Sequence, residues 1–168
     1  MRNIINKRLT AEEIFHAAGR LVEEGIFNLK LYFMIGLPFE NDQDVEAIVR
    51  LTLAIKAVFL EAAKKKKKIG TITLSINPFI PKPATPFQWC AMTPEKILKH
   101  RAELIRQGLK KTANVTTKFE SLRQAKHHAL LSLGDRDTAH IIETAAEHGW
   151  TRAMKMNKAY CDRVIYQE

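Results

Sequence analysis

The sequence predicts an α/β fold with about three parallel strands, because apolar runs of strand length alternate with helical segments. Leu29–Ile35 is a nearly continuous apolar run, typical of a strand buried on both faces of a parallel sheet. Thr71–Ile76 is rich in β-branched residues, and Val115–Phe119 is predicted to be a short third strand. Three strands are too few to close a barrel, so the sequence predicts either a small open sheet or a piece of a larger one.

Helices are predicted between and after these strands from capping residues and from apolar positions at helical spacing. Thr10 and Glu13 have the spacing of a capping box, in which each side chain satisfies a free backbone amide of the first turn. A helix that starts at Asn41 or Asp42 is predicted to end in the lysine run Lys64–Lys68. The remaining helices are predicted from Thr93 to about Lys111, and over residues 121–133 and 137–148.

The net charge of +9 is the main compositional departure from an ordinary soluble protein. Lys64–Lys68 contributes a dense block of this charge, which favours a solvated surface over a nucleic-acid site because no aromatic residue is interleaved with the lysines. The sequence contains neither a signal-peptide pattern nor an apolar run of membrane-spanning length. Cys90 and Cys161 are far apart, and together these observations predict a protein of the reducing cytoplasm without a membrane segment.

Two segments follow predicted strands at the end where α/β folds place their ligands. In the first, Tyr32–Asp42, Gly36 would allow a ligand close to the backbone, or Gly36 and Pro38 would simply form a tight turn. In the second, Ser75–Trp89, rigid prolines and three aromatic residues would form an apolar wall for a flat ring, or a surface loop that pins its aromatic residues. The residues alone leave both alternatives open.

Together these segments resemble the radical S-adenosylmethionine (SAM) superfamily. Met34–Glu40 is similar to the family's hydrophobic stretch with a glycine and a glutamate on the fifth barrel strand, and Asn77–Trp89 is similar to the loop after the sixth. Ile5–Lys7 resembles the end of the fourth-strand region. Leu130–Trp150 looks like the tail of Fe–S oxidoreductases that often carry an N-terminal B12-binding domain.

The resemblance implies half of a TIM-type barrel over residues 1–118, with a helical C-terminal extension over residues 119–168. It implies no catalytic residue and no metal ligand in this chain. The residues that it places around SAM are Ile35, Gly36, Ser75, Asn77 and Phe79 near the adenine, Glu40 as a support of the loop shape, and Asn6 or Lys7 near the ribose or the methionine carboxylate.

The chain departs from the family in lacking the CxxxCxxC motif whose three thiolates hold a [4Fe–4S] cluster. It is therefore expected to be a fragment of an enzyme that uses SAM and [4Fe–4S] at full length, and to be inactive by itself. Its expected partners are the missing N-terminal half of the barrel and, through exposed sheet edges, further copies of the chain. The alternative function is a basic nucleic-acid-binding module without catalytic activity.

Overall fold

The computed structural model of the chain describes residue 1 and residues 3–167. Helices and strands alternate in its first two thirds, and helices follow one another in the last third. In chain order the elements are α1 (Ala11–Glu23), β1 (Asn28–Ile35), α2 (Asp42–Lys66), β2 (Thr71–Pro78), α3 (Glu95–Leu109), β3 (Val115–Phe119), α4 (Leu122–Leu133), α5 (Thr138–His148), α6 (Trp150–Met156) and α7 (Lys158–Tyr166).

The three strands form one parallel sheet in the order β1-β2-β3. Strand β2 pairs with β3 in a register that sets Ile72 opposite Val115 and Ile76 opposite Phe119. The predicted α/β class, with three parallel strands and flanking helices, is thereby confirmed. The connections between the strands contain α2 and α3, as parallel pairing requires, because a short turn cannot return the chain in the same direction.

The predicted helix starts are set by side-chain caps. Thr10 and Glu13 form both bonds of a capping box, at 3.1 and 2.8 Å, and Asn41 forms a second box with Asp44. Helix α2 ends in the lysine run, where Lys67 takes a left-handed conformation with φ of 52°. Helices α6 and α7 lie within residues 119–168, for which the resemblance implies a helical extension, and the sequence did not predict their individual bounds.

The two faces of the sheet differ in exposure. Ile72, Leu74 and Ile76 of β2 are buried, and the residues that alternate with them are polar and partly exposed. We call this second side the open face; it carries Lys30, Tyr32 and Met34 of β1, Thr73 and Ser75 of β2, and Thr116 and Lys118 of β3. The hydroxyl groups of Thr73 and Thr116 lie 3.2 Å apart across it.

The prediction that β1 is buried on both faces is wrong. Tyr32 is 68% exposed and Met34 is 37% exposed, whereas Leu29 and Ile35 are buried. Side chains alternate between the two sides of a strand, so a continuous apolar run indicates that both sides are apolar. It does not show that another layer of the protein packs on each side. Strand β1 therefore presents aromatic and apolar surface on the open face.

The chain divides into two compact units. The first comprises Met1–Asn77 and Lys99–Phe119, and the second comprises Pro78–Leu98 and Glu120–Glu168. In the first unit α1 packs against α2, and the core is formed by large apolar side chains of the sheet and helices. Its fully buried members include Val22, Ile35, Val45, Ile55, Phe59, Ile72, Leu74, Ile76 and Ile105.

The second unit is helical and has its own core. The segment before α3 is held to α7 by the N–H of Met92, which donates to the carbonyl of Ile165 at 2.9 Å. An ion pair between Glu95 and Lys126 links the start of α3 to α4. Cys161 is buried in this core, and burial raises the pKa of its thiol.

No helix in the described part of the chain is both long enough and apolar enough to cross a lipid bilayer.

Candidate functional site

The loop after β1 begins at Gly36, which has a φ of 86°. Glycine suits this position because a side chain would strain a backbone in the left-handed region. The N–H of Glu40 donates to the carbonyl of Leu37 at 3.1 Å and closes the turn. Phe39, also at positive φ, is 85% exposed at the tip of the loop, while Leu37 is buried.

A buried ion pair between Glu40 and Arg101 holds this loop in place. The Glu40 carboxylate accepts the N–H of Gly36 at 2.6 Å and a guanidinium N–H of Arg101 at 2.7 Å. A second guanidinium N–H of Arg101 donates to the backbone carbonyl of Glu40 at 2.5 Å. The Glu40 side chain is 2% exposed and that of Arg101 10%, so the pair is shielded from water.

The electrostatics of the pair are governed by its burial. Burial raises the pKa of Glu40, and the N–H of Gly36 and the guanidinium of Arg101 offset part of that rise. Both charges thus depend on each other and on the loop backbone. The hydrogen bonds of the Glu40 side chain go to the backbone N–H of Gly36 and to Arg101.

Sequence reasoning missed Arg101, although its position carried a usable indication. Leu98, Ala102 and Ile105 are the buried residues of α3 around it, and Arg101 lies three and four residues from two of them. A charged residue at a core position of an amphipathic helix must find a buried partner. The sequence gives no indication that this partner is Glu40, 61 residues away.

The carboxyl ends of β1 and β2 lie at the same edge of the sheet, because neighbouring parallel strands run in one direction. This edge brings together Ile35 and Gly36, from β1 and its loop, with Asn77 from β2. Ser75 lies two residues before Asn77, on the same open face of the sheet. Ile35 has a buried side chain, while Ser75 and Asn77 are half-buried. The edge therefore offers backbone groups and polar side chains for hydrogen bonds.

The other residues predicted around SAM are not placed at this edge by the described contacts. Phe79 belongs to the second unit, where its ring packs edge-to-face on Phe87 at 5.6 Å. Asn6 and Lys7 are exposed in the N-terminal turn, where the Asn6 N–H donates to the Asn3 carbonyl at 3.1 Å. Neither of their side chains makes a hydrogen bond or ion pair with another described residue.

Cys90 is half-buried and Cys161 is buried, and both are free thiols. Within residue 1 and residues 3–167, no three His, Cys, Asp or Glu side chains come together in a way that could hold a metal ion.

Comparison with known proteins gives one informative similarity. The chain is 29% identical over 143 residues to the uncharacterized protein MJ0966 of Methanocaldococcus jannaschii, an alignment that covers 85% of this chain and 29% of that protein. The chain thus spans less than a third of the length of this relative. No family model matches the chain. No solved structure matches it either.

Proposed function

We propose that the chain is half of a TIM-type barrel from a radical SAM enzyme and forms the adenine side of its SAM pocket. The observation that supports this proposal most is the shared sheet edge, where the Gly36 loop and Asn77 follow two neighbouring parallel strands. Ligands of α/β proteins bind at the carboxyl ends of parallel strands, where the loops are free to vary.

The open face supports the same proposal. The inner side of a barrel is lined by alternate residues of every strand, and a piece of a barrel must leave that lining uncovered. Tyr32 at 68% exposure and the hydroxyl pair of Thr73 and Thr116 fit such a lining better than an ordinary outer surface. The missing N-terminal half of the barrel is then the partner that covers this side.

In the proposed pocket the adenine contacts backbone at Ile35 and Gly36, because the Ile35 side chain is buried in the core. Ser75 and Asn77 supply polar groups to the ring edge. Glu40 holds the Gly36 loop in place, and Asn6 or Lys7 approaches the ribose or the methionine carboxylate. A flat ring requires a backbone that it can approach closely and a few polar groups at its edge.

The implied [4Fe–4S] cluster does not fit the residues of this chain. Three thiolates are needed to hold it, and the sequence contains only Cys90 and Cys161. The proposal therefore assigns the cluster and the chemistry to the other half of the barrel, and it derives no reaction step for this chain.

The proposal predicts that S-adenosylhomocysteine, which carries the same adenosine, binds weakly at the sheet edge. In ¹H–¹⁵N spectra we expect shifts of the amides of Ile35, Gly36 and Asn77 on titration with this compound. Asn77→Ala should weaken the binding about five-fold or more, through the loss of one hydrogen bond. Thr71→Ala, at the opposite end of β2, is the matched control and should leave it unchanged. Shifts confined to the second unit, or no shifts at millimolar ligand, would contradict the proposal.

A half-barrel with an open face and two sheet edges is also expected to self-associate. Light scattering should give a mass above that of one chain. Tyr32→Lys, which places a charge at the 68% exposed position of the open face, should shift the mass toward that of a monomer. Ala57→Lys adds the same charge at an exposed position of α2 and is the control for a change of surface charge. A monodisperse wild-type monomer would rule out this association.

The alternative, a basic nucleic-acid-binding module, stays a prediction, as does the cytoplasmic location. Lys64–Lys66 form the exposed last turn of α2, and Lys64 pairs with Glu61 at 2.6 Å. Their positive charge suits the carboxyl end of a helix, so the lysine run has a structural explanation without a ligand.

A further inference from the structure

A cavity of about 620 Å³ is lined by residues of the second unit, none of which belongs to the sheet edge discussed above. Its lining comes from α4, from α6, and from His148 at the end of α5 with the following Gly149. The residues that give it its chemistry are Arg123, His127, His148, Trp150, Arg152 and Lys155. Its volume falls in the range of small-molecule pockets, about 300–1,000 Å³.

The cavity is positively charged and lacks a counter-charge. Arg123, Arg152 and Lys155 are permanent cations, and no carboxylate belongs to the lining among the described residues. None of these three has an ion pair within 4.0 Å in the part of the chain that the structure describes. His148 has one, to Glu147 at 3.7 Å, and Glu147 is not part of the lining. A cluster of like charges lowers the stability of the fold through mutual repulsion. Natural proteins retain such unfavourable clusters mainly at functional sites.

The cations are held in place by regular structure. Arg123 and His127 are four residues apart on α4, and Arg152 and Lys155 are three apart on α6, so each pair occupies one side of its helix. The rings of His127 and Trp150 stack with centroids 5.1 Å apart and an angle of 23°, which ties the two helices together. The two sets of cations therefore line the same cavity.

His127 acts as a wall of the cavity and not as one of its charges. Its Nε2 is buried and has no hydrogen-bond partner among the described residues. Burial, with Arg123 and His128 nearby, lowers the pKa of His127 and so favours the neutral imidazole. The charge of the cavity comes from the two arginines and the lysine.

We propose that this cavity binds a small phosphate-bearing molecule, a phosphomonoester or diphosphate of about nucleotide size. Two guanidinium groups match the oxygen atoms of a phosphate with paired charge-assisted hydrogen bonds, and the lysine adds a third cation. The cavity is larger than a phosphate group requires, which leaves room for an organic part. This site is independent of the proposed SAM edge, since all of its lining lies in the second unit.

Calorimetric titration of the whole chain with inorganic pyrophosphate, in about 150 mM salt to screen surface charge, tests this site. Arg123→Gln and Arg152→Gln should each weaken binding about ten-fold or more, as expected for the loss of one charge-assisted contact. Arg136→Gln removes the same charge from an exposed position of the same unit outside the cavity, and should change affinity less than about two-fold. Circular dichroism establishes that all three variants are folded.

A second measurement separates a bound anion from a general charge effect. Pyrophosphate in the cavity should raise the pKa of His127, followed by NMR of its ring, because a nearby anion favours the imidazolium form. His140, exposed on α5 and not part of the lining, is the reference histidine.

The site is overturned if pyrophosphate does not bind, or if Arg136→Gln weakens binding as much as the cavity variants do. It is also overturned if only a single-stranded oligonucleotide binds and the cavity variants abolish that binding, which would favour the nucleic-acid alternative. None of these results bears on binding at the Gly36 edge.

Discussion

Replacing Arg101 with methionine is expected to lower the free energy of unfolding by about 3–5 kcal/mol, the cost of leaving one member of a buried ion pair without its partner. The Glu40 carboxylate would keep only the N–H of Gly36, at 2.6 Å, in a site where its side chain is 2% exposed. The backbone carbonyl of Glu40 would lose a hydrogen bond as well. Urea unfolding followed by circular dichroism measures the effect.

Two further variants make this result specific to the pair. Lys96→Met removes a cation from an exposed position of the same helix, and should change stability by less than about 0.5 kcal/mol. The double variant Glu40→Gln with Arg101→Met removes both charges and keeps an acceptor for Gly36, so it should be more stable than Arg101→Met alone. Equal stability of Arg101→Met and Lys96→Met would show that the pair does not support the loop.

Phe59→Ala is expected to have an effect of similar size, about 3–5 kcal/mol, for a different reason. Phe59 is 1% exposed and is the largest of the fully buried side chains. Its truncation removes apolar contacts and leaves a cavity between helix and core that the neighbouring side chains fill only in part. The midpoint of urea unfolding should fall with little change in the slope of the transition.

Leu53→Ala is the matched control for Phe59→Ala, because Leu53 lies on the same helix and is 42% exposed. Its loss should cost about 1 kcal/mol or less. If the two truncations have the same effect, α2 does not pack against the core through the side that contains Phe59.

The sequence predicts most of the secondary structure, because its indications are local. The caps at Thr10 and Asn41 are formed by residues within one turn, and the β-branched run of β2 is visible without any partner. The exposure of Tyr32 could not be predicted in this way. It depends on what covers the sheet, which no pattern within β1 specifies.

For the candidate site the sequence predicts the loop but not its support. Gly36 and Glu40 are recognisable after an apolar strand, whereas the bond from Arg101 to Glu40 joins residues 61 positions apart. The cavity in the second unit was missed entirely. Arg123 and Arg152 lie on different helices, and the bounds of α6 within the expected helical extension were not predicted, so no spacing in the sequence could bring them together.

The two thiols give the chain a built-in chemical label for opening of the second unit. Cys161 lies in the core of that unit at 3% exposure, while Cys90 is half-buried on the segment before α3. The thiolate is the form that attacks an alkylating reagent, so a thiol that is both covered and kept protonated reacts only when its surroundings open. In native buffer the rate at which Cys161 is alkylated therefore measures how often α7 separates from its neighbours. The Phe59 core, which belongs to the first unit, contains no cysteine, and its opening leaves no mark in this assay.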